Sequence, residues 1–467
     1  MVELVKKILA LPELRKRLLW TLFLLSICRL GVFIPLPGIN ASNVVAHNAG
    51  GDDGGAMGFL TGAVDLFSGG GLKNGSLFAL GVMPYISASI VFQLLSAFLP
   101  ALKAVAKEGE SGQRKIKQWT RYTTLFFCSV QSLILAQTWV VGDASTRLWD
   151  ANQISNKIMF MAVAAVCITA GTMFLTWLGD QIDEFGIGNG ALLIITIGII
   201  SRMPAAITSV AEHFSPAIDN SDPSAVGLDR VLLLMILFFL MVFAVVLVEN
   251  SERRIPIQTP KRVGMYFKDQ QYIPLKLNAT GVMAIIFAQA LLSLPLFAAA
   301  LQNEFLHNLF SFLSPQGGGF VYYMTYSLLI FFFSYFYQMI QFDPNEQAEN
   351  LKQQGVYIPG IRPGVETADY LRKVINRLTF AGSSFICIIA LLPNIMTQVL
   401  GIEHNVSSFF GGTTLLIGIG VSLDMVKRID SYLVHQRLQG FMNRGGRIKR
   451  GGEPRQSEFG GSPASAK

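Results

Sequence analysis

The run VLLLMILFFLMVFAVVLV, from Val231 to Val248, is apolar throughout. Its length fits the roughly 20 residues that an α-helix needs to cross a bilayer core. In hydrocarbon every backbone N–H and C=O must find a partner within the protein, so a helix is the form such a run takes. The whole chain has the same bias: 51% of its residues are hydrophobic and only 14% are charged. A soluble globule of this size needs a more charged skin. The expected class is an all-α polytopic membrane protein.

Reading apolar windows against polar breaks predicts ten transmembrane helices, at 18–38, 78–99, 119–140, 158–179, 189–208, 230–248, 279–300, 319–341, 379–400 and 407–426. An even number places both termini on one side. The N-terminal arm, the loops 101–121, 250–277 and 342–378, and the tail from Lys427 together carry 31 of the 37 Lys and Arg residues. Lys73, Arg147, Lys157, Arg202 and Arg230 fall on the other side, and Arg29 lies within a span. The positive-inside rule then assigns both termini to the cytoplasm. The polar stretch Asn220–Pro223 divides the spans into two sets of five. An odd number per half gives the halves opposite orientation, the arithmetic of an inverted repeat with its working site between them. The expected divisions are an N-terminal half over 1–220, a C-terminal half over 221–430 and a cytoplasmic tail over 431–467.

The spans hold few ionisable groups, Arg29 and Asp424 among them, and the five histidines fall in loops or the tail. Proton relays and ion-coupling sites need intramembrane charge. An intramembrane metalloprotease would need HExxH, which is absent. An enzyme is therefore not expected, and neither is a cofactor or a metal. An ion-coupled small-solute transporter with broken helices is the rival to a passive conduit. Arg29 reads as a side chain paired within the protein in preference to one touching substrate. The GIGNG at 186–190 follows no strand and opens an apolar span, so it reads as a helix entry and not as a phosphate loop. Cys28, Cys128, Cys167 and Cys387 lie in apolar runs and read as small buried hydrophobes. The amphipathic, basic N-terminus lacks the short apolar core and small-residue cleavage site of a removable signal peptide.

Three segments break the pattern. DLFSGGGLKNGSLFALGVMPYISASI (65–90) puts Gly69, Gly70, Gly71 and Asn74 directly before an apolar helix. Non-helical backbone survives at membrane depth only when buried in protein or bordering water. The stretch is thus an external loop, or a half-helix folded back into a cavity. In the 342–378 loop, Asp343 is placed to cap a helix with Pro344 in its first turn, and Gly355 ends it. Two Pro-Gly pairs then bracket Arg362. That guanidinium is either an exposed turn whose charge sets orientation or a fork for carboxylate or phosphate. The 250–277 loop alternates apolar and polar residues around VGMYF and QYIPL, as a hairpin would, with Arg253, Arg254, Lys261 and Arg262 at its approach. Those charges serve orientation first and an anionic partner such as ribosomal RNA second.

Nearly the whole chain resembles the SecY family, the channel-forming subunit of the bacterial Sec protein translocase. The resemblance rests on an ordered set: FIPLPGI (33–39), LFSGG and GVMPYISASI (66–90), KEGESGQRKI (107–116), TRYTTL (120–125) and GTMFLTWLGDQI with EFGIGNG (171–190). PLKLN (274–278), NEQAENLKQQGVYIPGIRPG (345–364) and FFGGTTLLI (409–417) complete it.

The resemblance implies ten helices in two inverted five-helix halves around a central pore that opens sideways. The channel would translocate unfolded secretory polypeptides and release hydrophobic segments into the bilayer. Phe67–Leu80 would be the plug, a short helix closing the pore, with Phe67, Ser68, Gly69, Gly70 and Asn74 in it. The pore ring falls on Val82, Ile86, Ala191, Ile195, Ile286 and Ile417. Ala191 is smaller than the residue common there, which implies an incomplete ring or a larger share of closure for the plug. Ser87, Gln93 and Asn278 would form a polar contact across the lateral gate. Arg253, Arg254, Lys261, Arg262 and Arg362 would meet the ribosome or the SecA motor. The implied partners are SecE and SecG, SecA, the ribosome, nascent chains with signal sequences, and membrane lipids. The implied place is the bacterial plasma membrane.

Overall fold

The computed structural model describes residues 12–39, 64–65, 67–140, 149–150, 154, 156–204, 207–208, 228–258, 272–278, 280–299, 319–400 and 412–448. Helices dominate: α1 (Pro12–Gly31), α2 (Met83–Phe98), α3 (Pro100–Lys107), α4 (Glu110–Val140), α5 (Lys157–Phe185) and α6 (Gly190–Ile200). They continue with α7 (Leu228–Asn250), α8 (Met283–Ala299), α9 (Phe320–Gln341), α10 (Pro344–Gln353), α11 (Val365–Leu400) and α12 (Gly412–Ile448). The sheet among the described residues is a two-stranded antiparallel hairpin of β1 (Glu252–Pro256) and β2 (Tyr272–Lys276).

A helix coincides with each of the ten expected spans. Of these, α4, α5, α7, α9 and α11 are long and apolar enough by themselves to cross a bilayer. α7 leaves a broad apolar face outward, with Phe239 and Phe243 exposed, as a helix bathed in lipid would. The boundaries depart from expectation at particular residues. α2 starts at Met83, not near residue 78, because Gly75 and Gly81 hold the chain in turns at positive φ. It stops before Pro100, where extended Leu99 turns the chain by 106° into α3; a proline disfavours helical backbone in the residue before it. α12 does not end with its apolar part but runs on to Ile448, so the first part of the expected tail is helix.

The helices pack as neighbours in chain order, α2 on α4, α4 on α5, α8 on α9 and α9 on α11. The expected halves meet most broadly where α2 packs against α8 and α6 against α12. The main apolar core runs through both: Leu24 and Cys28 of α1, Ile90 of α2, Leu178 of α5, Ile199 of α6, Ala288 of α8 and Phe333 of α9 belong to one cluster. At the other end of the chain's path, Leu14 and Leu18 of α1 meet Ile429 and Tyr432 of α12.

The two patterned loops form one unit. Asp343 caps α10 through its carboxylate, which accepts from the Asn345 amide at 2.9 Å. Gly355 follows α10 at φ 68°. β2 takes up the YIPL of the expected QYIPL and pairs with ERRIP, while VGMYF, Lys261 and Arg262 lie outside the described residues. Gln258 and Tyr357 exchange backbone hydrogen bonds of 2.9 and 3.0 Å. Beneath them Ile255, Leu275, Ile358, Leu371 and Ile375 share a small apolar core.

Candidate translocation site

Asn189 opens α6 by accepting from the Leu192 amide at 3.3 Å, and Asp183 of α5 accepts from the Gly190 amide at 2.7 Å. These two caps fix where α6 begins and so set Ala191 and Ile195 in the apolar core that α2 also enters. Gly190 is packed against Gly179 of α5 so closely that a side chain there would strike backbone. On α2, Val82 is the residue before the first turn and Ile86 lies one turn on.

The expected ring residues all belong to the large apolar core or pack against it. Val82, Ile86, Ile195, Ile286 and Ile417 are all buried in the same cluster, and Ala191 packs against it half-buried. They come from α2, α6, α8 and α12, two helices from each half. Fully burying such an aliphatic side chain contributes about 1.5–3 kcal/mol, so this core excludes water without any specific bond. Phe67, 1% exposed, lies in the same cluster.

The glycine-rich stretch is not an external loop. Val64, Asp65, Phe67 and Ser68 are helical, and tight turns follow through Gly81. The expected short helix is therefore confined to the start of the segment. The Leu36 amide donates to the Gly75 carbonyl and the Leu77 amide to the Ile34 carbonyl, both at 3.0 Å. A Cβ on Gly69 would lie 2.6 Å from the Gly198 Cα, and one on Gly171 of α5 would lie 2.3 Å from the Leu77 carbonyl oxygen. Segment and walls touch backbone to backbone. Gly70 and Asn74 are joined by the Asn74 amide donating to the Gly70 carbonyl at 3.1 Å. Ser68 accepts from the Leu72 amide at 3.4 Å.

Arg29 bonds the protein itself. Its guanidinium donates to the Gly69 carbonyl at 2.6 Å and lies over the Phe33 ring. The sequence reading missed a second tie. Asp65, fully buried, forms an ion pair with Arg202 just beyond α6. Arg202 counts in the sequence only as an outer-side charge, and no pattern joins it to a residue so far back in the chain.

The polar residues expected across the lateral gate are arranged differently. Ser87 donates to the Met83 carbonyl at 3.2 Å, and Gln93 donates to Ser89 at 3.0 Å, each within α2. Asn278 donates to the Glu249 carboxylate of α7 at 2.6 Å and accepts from the Gly281 amide at 3.0 Å. No hydrogen bond among the described residues joins these three to one another. Ile86 and Ile90 of α2 share the apolar core with Ile286 and Ala290 of α8, and Phe98 of α2 stacks on Phe336 of α9 with centroids 6.3 Å apart. Asn278 also borders a cavity of about 430 Å³, with Asn189, Glu249, Gln338, Asp424 and Lys427 around it. This cavity opens at the end of the bundle that carries the hairpin.

On the hairpin, Arg254 is held by Glu252 at 2.8 Å and stacks 4.8 Å above Tyr272. The hydrogen bond that Arg254 donates to Glu252 raises its pKa above the ordinary arginine value. Arg253 is exposed beside it. The Arg362 side chain is 87% exposed, between the two Pro-Gly pairs, with Glu366 at 3.9 Å.

Comparison with known proteins gives a consistent answer. The sequence model of the SecY family matches residues 76–426. The protein translocase subunit SecY of Aquifex aeolicus is 40% identical over 450 residues, covering 95% of this chain and all of the relative. That of Synechococcus elongatus is 41% identical over 440 residues, covering 92% of this chain and 94% of the relative. Among solved structures, one described as a protein-conducting channel superposes with a TM-score of 0.59 at 17% identity, over 89% of this chain and 91% of the other. Sec61 in the canine ribosome–channel complex superposes with a TM-score of 0.55 at 16% identity, over 89% of this chain and 91% of that one.

Proposed function

The chain belongs to the SecY family, and we propose that it is the protein-conducting channel through which unfolded secretory polypeptides cross the membrane. The observation that carries the proposal is the one apolar core shared by both sets of helices, which buries Val82, Ile86, Ile195, Ile286 and Ile417 together with Phe67.

An extended polypeptide brings an amide donor and acceptor with every residue. Each one unpaired in hydrocarbon costs several kcal/mol, so lipid is closed to it. A wet path between two helical halves removes that cost, and the path must close when empty. Val82, Ile86, Ile195, Ile286 and Ile417 make no directional bonds, so any side chain slides past them, and they close on one another once the chain has gone. We assign residues 67–80 as the plug, which adds a second seal. The small Ala191 leaves the ring thinner on the α6 side, and the plug's Phe67 supplies bulk to the same cluster.

Sorting follows from hydrophobicity. A leucine-rich segment of about ten residues gains on the order of 3–6 kcal/mol at the bilayer centre. It leaves sideways between α2 and α8, where an apolar contact between the halves parts more readily than a bonded one. A polar segment gains nothing there and continues through the waist. The driving force comes from partners. The unit built from the hairpin and α10 presents Arg253, Arg254 and Arg362 to the SecA motor or the ribosome, on the side we assign to the cytoplasm with both termini. We read ten spans, five per half, in the bacterial plasma membrane, with SecE and SecG as the accompanying subunits.

Proteoliposomes holding the purified complex test this. With SecA and ATP they are expected to protect a signal-bearing precursor from protease. Saturable uptake of a small solute with no protection of the precursor would favour a solute transporter.

A further inference from the structure

We infer that Asp65 and Arg202 form a charge latch that fixes the plug in its closed position, an inference that rests on reading 67–80 as a plug. The Asp65 carboxylate is 0% exposed, and it pairs with Arg202, whose side chain is 26% exposed. Asp65 is helical and stands two residues before the assigned plug begins, while Arg202 follows the last turn of α6, the helix that supplies Ala191 and Ile195. The pair therefore ties the foot of the moving element to the wall it must leave. The same carboxylate accepts from the Lys73 amide at 3.3 Å, and the Asp65 carbonyl accepts from the Gly70 amide at 3.2 Å. One residue thus organises the glycine turns and anchors them. Arg29 also faces this segment, and it holds the Gly69 carbonyl from the α1 side.

The physics makes this pair a device for position. A buried ion pair adds little net stability over an apolar pair of the same shape, yet losing one partner is strongly unfavourable because a charge is left in a dry site. With the plug seated, each ion depends on the other. With the plug displaced, both sites open to water and both ions are hydrated. Neutralising one partner therefore raises the free energy of the closed state while leaving the open state nearly unchanged. Neutralising both strands no charge, so the double variant loses less than either single.

Conductance of the purified complex in planar bilayers reads this directly. Asp65→Asn and Arg202→Gln are each expected to raise resting ion conductance at least about tenfold. The double variant is expected to leak less than either, and Arg202→Lys, which keeps the charge, to stay near the parent. Deleting residues 67–74 is the reference, since it removes the plug and leaks if the plug reading is right. A leaking deletion with tight Asp65→Asn and Arg202→Gln channels would overturn the latch and leave the plug standing. A tight deletion would overturn both. A double variant leakier than either single, or Arg202→Lys as leaky as Arg202→Gln, would show that the two charges act separately and would also overturn the latch.

Discussion

Gly69 and Gly70 are adjacent, both at positive φ, and substituting each by alanine separates backbone strain from contact. At Gly69, φ is 65° and an added Cβ would sit 2.6 Å from the Gly198 Cα, a backbone atom that cannot swing away. At Gly70, φ is 96° and the nearest atom to an added Cβ is 4.0 Å away. Both substitutions pay about 1–2 kcal/mol for a left-handed residue with a side chain. Only Gly69→Ala adds an overpacking cost of about 1–3 kcal/mol, and that part is relieved when the segment moves off α6. With a factor of ten for every 1.4 kcal/mol, the extra cost shifts the closed-to-open ratio of Gly69→Ala by about 5- to 150-fold beyond that of Gly70→Ala. Iodide efflux from proteoliposomes containing each complex at equal density measures the shift. The expected order is parent, then Gly70→Ala, then Gly69→Ala with the fastest efflux. Equal efflux from the two variants, or Gly69→Ala as tight as the parent, would refute the close seating of this segment against α6.

Two further outcomes follow from other parts of the site. Arg362→Glu is expected to slow SecA-driven transport of a precursor at least about tenfold while the complex stays folded, because a fork for carboxylate or phosphate becomes a repelling charge; SecA binding and transport rates measured together check this. Ala191→Ile is expected to reduce the leak of the channel lacking residues 67–74, since it adds bulk to the thin side of the ring, and single-channel conductance reads the difference.

Much of the helical frame is legible in the sequence because long apolar runs leave the backbone one solution in lipid. α7 is the clearest case: nothing interrupts Val231–Val248, and the helix extends only a few residues past each end. The ring was reachable only through resemblance, since a valine or isoleucine facing a pore has the same composition as one facing a neighbouring helix. The hairpin shows where periodicity is silent. ERRIP offers a single large apolar residue, Ile255, too little to make a pattern, yet Ile255 shares a buried core with Leu275 and Ile358. Long-range ties are least visible. Nothing local in Asp65 or Arg202 names the other, and Asn278 finds Glu249 and not the α2 residues with which it was grouped. The extension of α12 to Ile448 was missed for another reason: beyond Lys427 the sequence loses its apolar stripe while keeping good helix formers such as Leu433, Gln436 and Arg437, and hydropathy alone registers only the first change.

Photocrosslinkers placed at positions 86 and 286, one in each half at the meeting point of α2 and α8, test the passage of a polypeptide most directly. With a secretory chain stalled in transit, both positions are expected to give crosslinks to that chain, and to lose them once it is released. Crosslinks to lipid alone from both positions, with the stalled chain present, would contradict a path between the two halves.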